Sequence, residues 1–269
     1  MPSRATINGL SMTYDVAGPA SAPAVVLHHP LATSLATWDA LTAALAPRYR
    51  VVRFDARGHG ATSAPKGAYD FNMLAADVIA LMDHLGIARA HFLGLSMGGM
   101  VGQHLGLLHP GRFNSLCLAS TTSRVPAEAK QIWADRIANT PRTGMAGTVD
   151  AALARWVAPD VLKTRPALVE RLVDMMLATP VDGYVGWCHA ISMLDVTDQL
   201  SAIRLPTLVV AGALDPATPP AAAEVIHRAI PGSRMVVVPG VSHMLQEEEP
   251  DTFNGHVLSF LAGDRAAGL

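Results

Sequence analysis

Phe92-Leu93-Gly94-Leu95-Ser96-Met97-Gly98-Gly99-Met100 is the stretch on which the reading of this chain turns. Phe92–Leu95 is apolar at nearly every position, as a strand covered on both faces would be. From Met97 to about Leu108 the pattern is helical, and His109-Pro110-Gly111 ends it. Between strand and helix stands a serine with glycine two positions before and two after, the pattern G-x-S-x-G. A serine exposed on so sharp a turn leaves no room for side chains across it, and glycine supplies that room. The bland reading is a glycine-rich turn carrying an ordinary serine. The strand–turn–helix context favours a nucleophile at Ser96.

Working outward, the runs Ala24–Leu27, Val51–Phe54, Leu116–Ala119, Leu208–Ala211 and Met235–Val238 have the same buried-strand character. They are short and followed by turn residues such as Pro30, Gly58, Gly212 and Gly240. Thr6–Asn8 and Met12–Val16 around Gly9 read as a leading hairpin. Phe71, Leu74, Val78, Leu81, Met82 and Leu85 lie on one helical face, with Asp70 as N-cap and Gly86 as stop. Pro219–Ile230 and Gln246–Leu261 read as further helices. Strand alternating with helix predicts an α/β fold: a mostly parallel eight-stranded sheet with helices on both faces.

Residues 124–195 break the alternation. They hold no buried-strand run, three of the four tryptophans, and prolines at 126, 141, 159, 166 and 180 that divide them into roughly four short helices. Such an insertion predicts a helical lid over the carboxyl edge of a core made by residues 1–123 and 196–269, the edge where open α/β sheets bind ligands.

A serine hydroxyl needs a base to become a nucleophile near neutral pH. Asp215 follows the strand run ending Val209-Val210-Ala211-Gly212, and His243 follows Val236-Val237-Val238. Serine, acid, histidine is the chain order expected when all three meet at one sheet edge. The stretch before the lid, Ala119-Ser120-Thr121-Thr122-Ser123, offers no competing carboxylate. An oxyanion needs preorganised donors. The N–H of Met97 is one candidate, and the N–H of Leu31, in His28-His29-Pro30-Leu31-Ala32, is the other. Trp133, Trp156 and Trp187 are candidates for an apolar substrate pocket. Arg57 and His59, in Asp55-Ala56-Arg57-Gly58-His59-Gly60, and likewise His29, fit turn stabilisation better than ligand contact.

Composition narrows the function classes. The net charge is −2, and no basic run suggests a nucleic-acid partner. No run of about 18 apolar residues and no apolar leader is present, so neither membrane insertion nor secretion is expected. Cys117 and Cys188 form no C-x-x-C pair, which fits a reducing, cytoplasmic setting. No histidine cluster has metal-ligand spacing, so a metal-dependent hydrolase is not expected. A homo-oligomer is left open.

The segments Arg50–Gly60, Gly94–Met100, Pro206–Gly212 and Asp215–Pro219 together resemble the α/β-hydrolase superfamily, and within it the 3-oxoadipate enol-lactonases. The resemblance covers nearly the whole chain. It implies a cofactor-free hydrolase of a small ester or lactone, working through an acyl-enzyme. Carbon–carbon bond hydrolases and cofactor-free perhydrolases share the same three residues. A ligand receptor that keeps the fold without turnover is the alternative from another class.

Overall fold

The computed structural model describes residues 2–263. Eight strands form one sheet: β1 (Ser3–Ile7), β2 (Leu10–Ala17), β3 (Ala24–His28), β4 (Arg50–Phe54), β5 (Ala90–Leu95), β6 (Phe113–Ala119), β7 (Thr207–Gly212) and β8 (Arg234–Val238). Their spatial order is β1-β2-β4-β3-β5-β6-β7-β8. The leading hairpin is antiparallel and joins β4 antiparallel; every later pairing is parallel. Asn8 and Gly9 both take positive φ at the hairpin turn, as a tight two-residue turn requires.

The α-helices are α1 (Asp39–Leu45), α2 (Phe71–His84), α3 (Met97–Leu108), α4 (Lys130–Thr143), α5 (Val149–Trp156), α6 (Val161–Thr164), α7 (Pro166–Ala178), α8 (Val181–Ser192), α9 (Pro220–Ala229), α10 (Leu245–Glu248) and α11 (Pro250–Leu261). Asp70 caps α2 by accepting from Met73 N–H at 2.9 Å, and Gly86 takes φ 66° just beyond it. Two buried clusters sandwich the sheet. Val26, Val52, Phe92, Leu116 and Val209 point to one face with α2 and α3; Val25, Val51, Leu93, Cys117 and Val210 point to the other with α1 and α11. Alternate residues of each central strand thus enter different apolar layers, which is why those runs lack polar alternation.

Helices α4 to α8 all lie between β6 and β7. The two ends of this insertion meet: Val125 N–H donates to Leu194 O at 3.0 Å and Val196 N–H to Ser123 O at 2.9 Å. Arg124 adds ion pairs to Asp195 and Asp198. Two sequence expectations need correction. Pro141 does not divide helices; it sits near the end of α4, before the stop at Gly144, where few hydrogen bonds remain to be broken. The helix expected over Gln246–Leu261 is two helices. Pro250 forces the preceding residue out of helical geometry, and Glu249 takes φ −134°, ψ 66°.

Candidate active site

Ser96 occupies the turn between β5 and α3 at φ 57°, ψ −114°, a conformation costly for any residue with a side chain. Neighbouring elements hold it there. Its N–H donates to Ala119 O at 2.9 Å, and its carbonyl accepts from Thr121 Oγ1 at 2.8 Å. The flanking glycines are obligatory. A Cβ at Gly94 would lie 2.1 Å from Gly98 O, and a Cβ at Gly98 would lie 2.3 Å from His28 O. The second contact also shows how closely the end of β3 approaches the first turn of α3.

β5, β6, β7 and β8 are consecutive parallel neighbours, so their carboxyl ends share one edge. Asp215 follows β7 and His243 follows β8 at that edge, both almost fully buried. His243 Nδ1 lies 2.8 Å from Asp215 Oδ2. That bond assigns the proton to Nδ1 and leaves Nε2 as the acceptor. Asp215 Oδ1 accepts from the N–H groups of Ala217 (2.8 Å) and Thr218 (3.0 Å), while Thr218 Oγ1 donates to Oδ2 at 2.7 Å. Burial works to raise the Asp215 pKa. The charge and hydrogen bond of His243 and the Thr218 donors outweigh it and hold the carboxyl below its ordinary value. The Trp156 ring stacks on His243, with centroids 6.2 Å apart and planes at 26°. Among the described residues Ser96 Oγ makes no hydrogen bond to His243. The structure therefore brings Asp215 and His243 into contact and sets Ser96 on the same edge without closing that last bond.

The N–H groups of Met97 and Leu31 donate to no partner among the described residues. Met97 opens α3, whose N-terminus favours negative charge. Ala32, at φ 55°, has its own N–H tied to His59 Nε2 at 2.9 Å. His29 Nε2 accepts from Ala56 N–H at 3.0 Å. Arg57 makes a bidentate pair with Asp77 at 2.7 and 2.8 Å. His29, Arg57 and His59 thus hold turns together, as their sequence context suggests.

A cavity of about 580 Å³ opens beside the site, with Ala32, Arg136, Asn139, Arg155, Trp156 and Tyr184 in its wall. Of the three tryptophans singled out in the sequence, Trp156 lines it. Trp187 does not: it is fully buried, donating to Arg57 O at 2.7 Å and packing on His28 and His59. Trp133 lies outside the wall too, under the Arg136 guanidinium at 4.4 Å. Arg136 and Arg155 are two of several basic residues within 124–195, and the sequence alone does not show that both face one cavity. Burial, then the nearby Arg136, lowers the Arg155 pKa. Neither arginine has a carboxylate partner among the described residues; Asp135, also in the wall, accepts from Gln131. No group of three or more His, Cys, Asp or Glu side chains could hold a metal among the described residues. Nor is any described helix long and apolar enough to cross a membrane.

A strained serine after β5, with acid and histidine after β7 and β8, is the arrangement of one large class of enzymes. The alpha/beta hydrolase fold family matches residues 23–250 of the chain, which belongs to it. The chain is 36% identical to 3-oxoadipate enol-lactonase 2 of Acinetobacter baylyi, over 93% of this chain and 92% of that protein. It superposes on the enol-lactonase from Burkholderia xenovorans LB400 with a TM-score of 0.94 at 36% identity, covering 97% of this chain and 100% of that one. A hydrolase from Pseudomonas aeruginosa PA01 gives 0.93 at 40% identity, covering 97% and 98%.

Proposed function

We propose that this chain is a serine hydrolase of a small carboxylic ester or lactone, of the 3-oxoadipate enol-lactone type, acting through an acyl-enzyme. The buried Asp215–His243 pair at the same sheet edge as the strained Ser96 carries the reading. His243 Nε2 takes the Ser96 hydroxyl proton as Oγ attacks the carbonyl carbon. The tetrahedral oxyanion is held by the N–H groups of Met97 and Leu31. Its collapse breaks the ester bond, with His243 returning the proton to the leaving oxygen. Water, deprotonated by His243, then attacks the acyl-enzyme and releases the acid. In a lactone the leaving oxygen remains tethered to the acyl group until that last step.

Residues 124–195 act as a lid in this reading, with the cavity beneath α4 and α5 receiving the part of the substrate remote from the carbonyl. Two guanidiniums without a carboxylate partner on one cavity wall support a substrate bearing a carboxylate. The named activity of the enol-lactonase relatives supports the lactone. Two free, buried thiols support a reducing, cytoplasmic setting.

A panel of an acidic enol-lactone, a neutral lactone, a p-nitrophenyl ester and a dienoate ring-cleavage product tests this, with Ser96→Ala as control. We expect lactone and ester turnover, and a loss of at least about 10³-fold in Ser96→Ala, since only oxyanion stabilisation and binding would remain. The double variant Arg136→Ala/Arg155→Ala should raise KM for the acidic lactone by about 10- to 100-fold, the worth of a charge-assisted hydrogen bond, and leave the neutral lactone within a few-fold. Wild-type protein that is neither labelled by a fluorophosphonate nor active on any ester or lactone would sink the proposal.

A further inference from the structure

Glu248 closes α10 and is buried, yet its carboxylate carries no cation among the described residues. Its neighbour Glu247 shows the ordinary arrangement, accepting from Thr37 Oγ1 at 2.9 Å and facing Arg171 at 3.5 Å. Glu248 instead gives both oxygens to backbone donors, one six residues before it and one ninety residues before it. Oε1 accepts from Ser242 N–H, and Oε2 from Ala158 N–H, each at 3.0 Å. Ser242 immediately precedes His243. Ala158 lies two residues past Trp156, whose ring stacks on His243. The same two segments are joined again by Met244 N–H to Trp156 O at 3.0 Å and by Ser242 Oγ to Arg155 O at 3.4 Å. Arg165, further along the insertion, donates to Glu248 O at 2.6 Å and Glu247 O at 3.1 Å.

We propose that Glu248 is a positioning residue that locks the lid segment Arg155–Ala158 and the loop Ser242–Met244 into one unit, so that the lid itself holds the imidazole of His243 in place. The inference rests on the reading of His243 as general base. Its physical basis is that each N–H is buried and has Glu248 as its acceptor. Releasing either one frees a peptide beside the histidine or beside the ring stacked on it. The carboxylate touches no reacting atom; it acts through two backbone segments and one aromatic face.

Two substitutions separate this from a merely structural role. Glu248→Gln keeps the shape but leaves one carbonyl oxygen for two donors. Ala158→Pro removes only the lid donor and leaves the Ser242 bond intact. Val157 is already extended at φ −122°, ψ 137°, the conformation a following proline demands. We expect each to lower kcat for a p-nitrophenyl ester by about 10- to 100-fold with KM within about 3-fold, the range usual for residues that orient a working group. We expect the double variant to be no worse than the poorer single one, because both break the same link. The downfield proton NMR resonance of His243 Nδ1–H should shift or broaden in both. Ala158→Pro with wild-type kcat and an unshifted resonance would overturn the inference, whatever Glu248→Gln does. It also decides the matter should Glu248→Gln fail to fold. Wild-type enzyme that labels and turns over, with indifferent variants, ends only this inference. Wild-type protein that neither labels nor turns over ends the hydrolase reading beneath it.

Discussion

Two regions of the same fold put histidine to opposite uses. Beyond β7 and β8, His243 faces a buried carboxylate that a threonine and two backbone donors keep ionised. At and beyond the ends of β3 and β4, His28, His29 and His59 pack against one another and against Phe54 and Trp187. The Nε2 atoms of His29 and His59 accept from backbone N–H groups there, which requires neutral rings. Burial pushes the His28 pKa down to about 3, and lowers those of His29 and His59 as well. Asp55 stands close by, but its oxygens are taken by Leu35 and Ala61 N–H at 2.8 and 2.9 Å. A partner that can stabilise charge suits a histidine to proton transfer; backbone partners and apolar walls make it a strut.

The sharpest break of this contrast is a matched pair of substitutions. Asp215→Asn should lower kcat by about 10⁴-fold with little change in fold, because the imidazole loses its orienting acceptor. Asp55→Asn should act mainly on stability, costing about 1–3 kcal/mol by leaving one backbone donor poorly matched, as read by denaturant unfolding. Equal kinetic damage from both would erase the distinction.

Acid titration separates the two regions next. The three struts have folded pKa values below the unfolded value of 6.5. The unfolded chain therefore binds protons that the folded chain refuses. Stability is full above pH 6.5 and falls as pH drops toward the folded value of about 3 for His28, at up to about 1.4 kcal/mol per pH unit for each histidine. Asp215, whose folded pKa is depressed, adds a loss of the same sign only below the ordinary carboxylate range. Melting temperature followed from pH 7.5 to 4 should fall, and His28→Leu should flatten the curve.

Smaller effects refine the strut role. His59→Leu leaves Ala32 N–H without its acceptor, and should cost about 1–3 kcal/mol while slowing turnover through the adjoining Leu31 donor. Trp187→Phe removes the bond to Arg57 O and part of a fully buried ring, and should cost about 1–3 kcal/mol, with KM unchanged. A large rise in KM would return Trp187 to the substrate pocket.

Much of the frame was legible because each layer carries its own signal. Continuous apolar runs marked both-face burial, and glycines around Ser96 marked a turn with no space for Cβ atoms. Asp215 and His243 were legible because both follow strand runs directly. The histidine network was not, since its members belong to two βα loops whose meeting depends on the order of β3 and β4 in the sheet. Glu248 was hidden within Gln246-Glu247-Glu248-Glu249, which reads as the acidic surface of a helix. The structure turns the Glu248 carboxylate inward, onto Ser242 and Ala158 N–H. Trp187 was misread because an indole suits a pocket wall and a core equally well.

The paired strands of backbone at Ser123–Val125 and Leu194–Val196 have an evolutionary corollary. The chain leaves the sheet and returns to it through one narrow neck, so the β6–β7 connection closes over everything between whatever its length. Lengthening such an excursion adds little chain entropy, about 0.6 kcal/mol per doubling. Helices there can be exchanged, shortened or retuned toward new acyl groups while the sheet edge that carries Ser96, Asp215 and His243 is inherited, provided the segment Arg155–Ala158 keeps its bonds to Glu248 and the Ser242–Met244 loop.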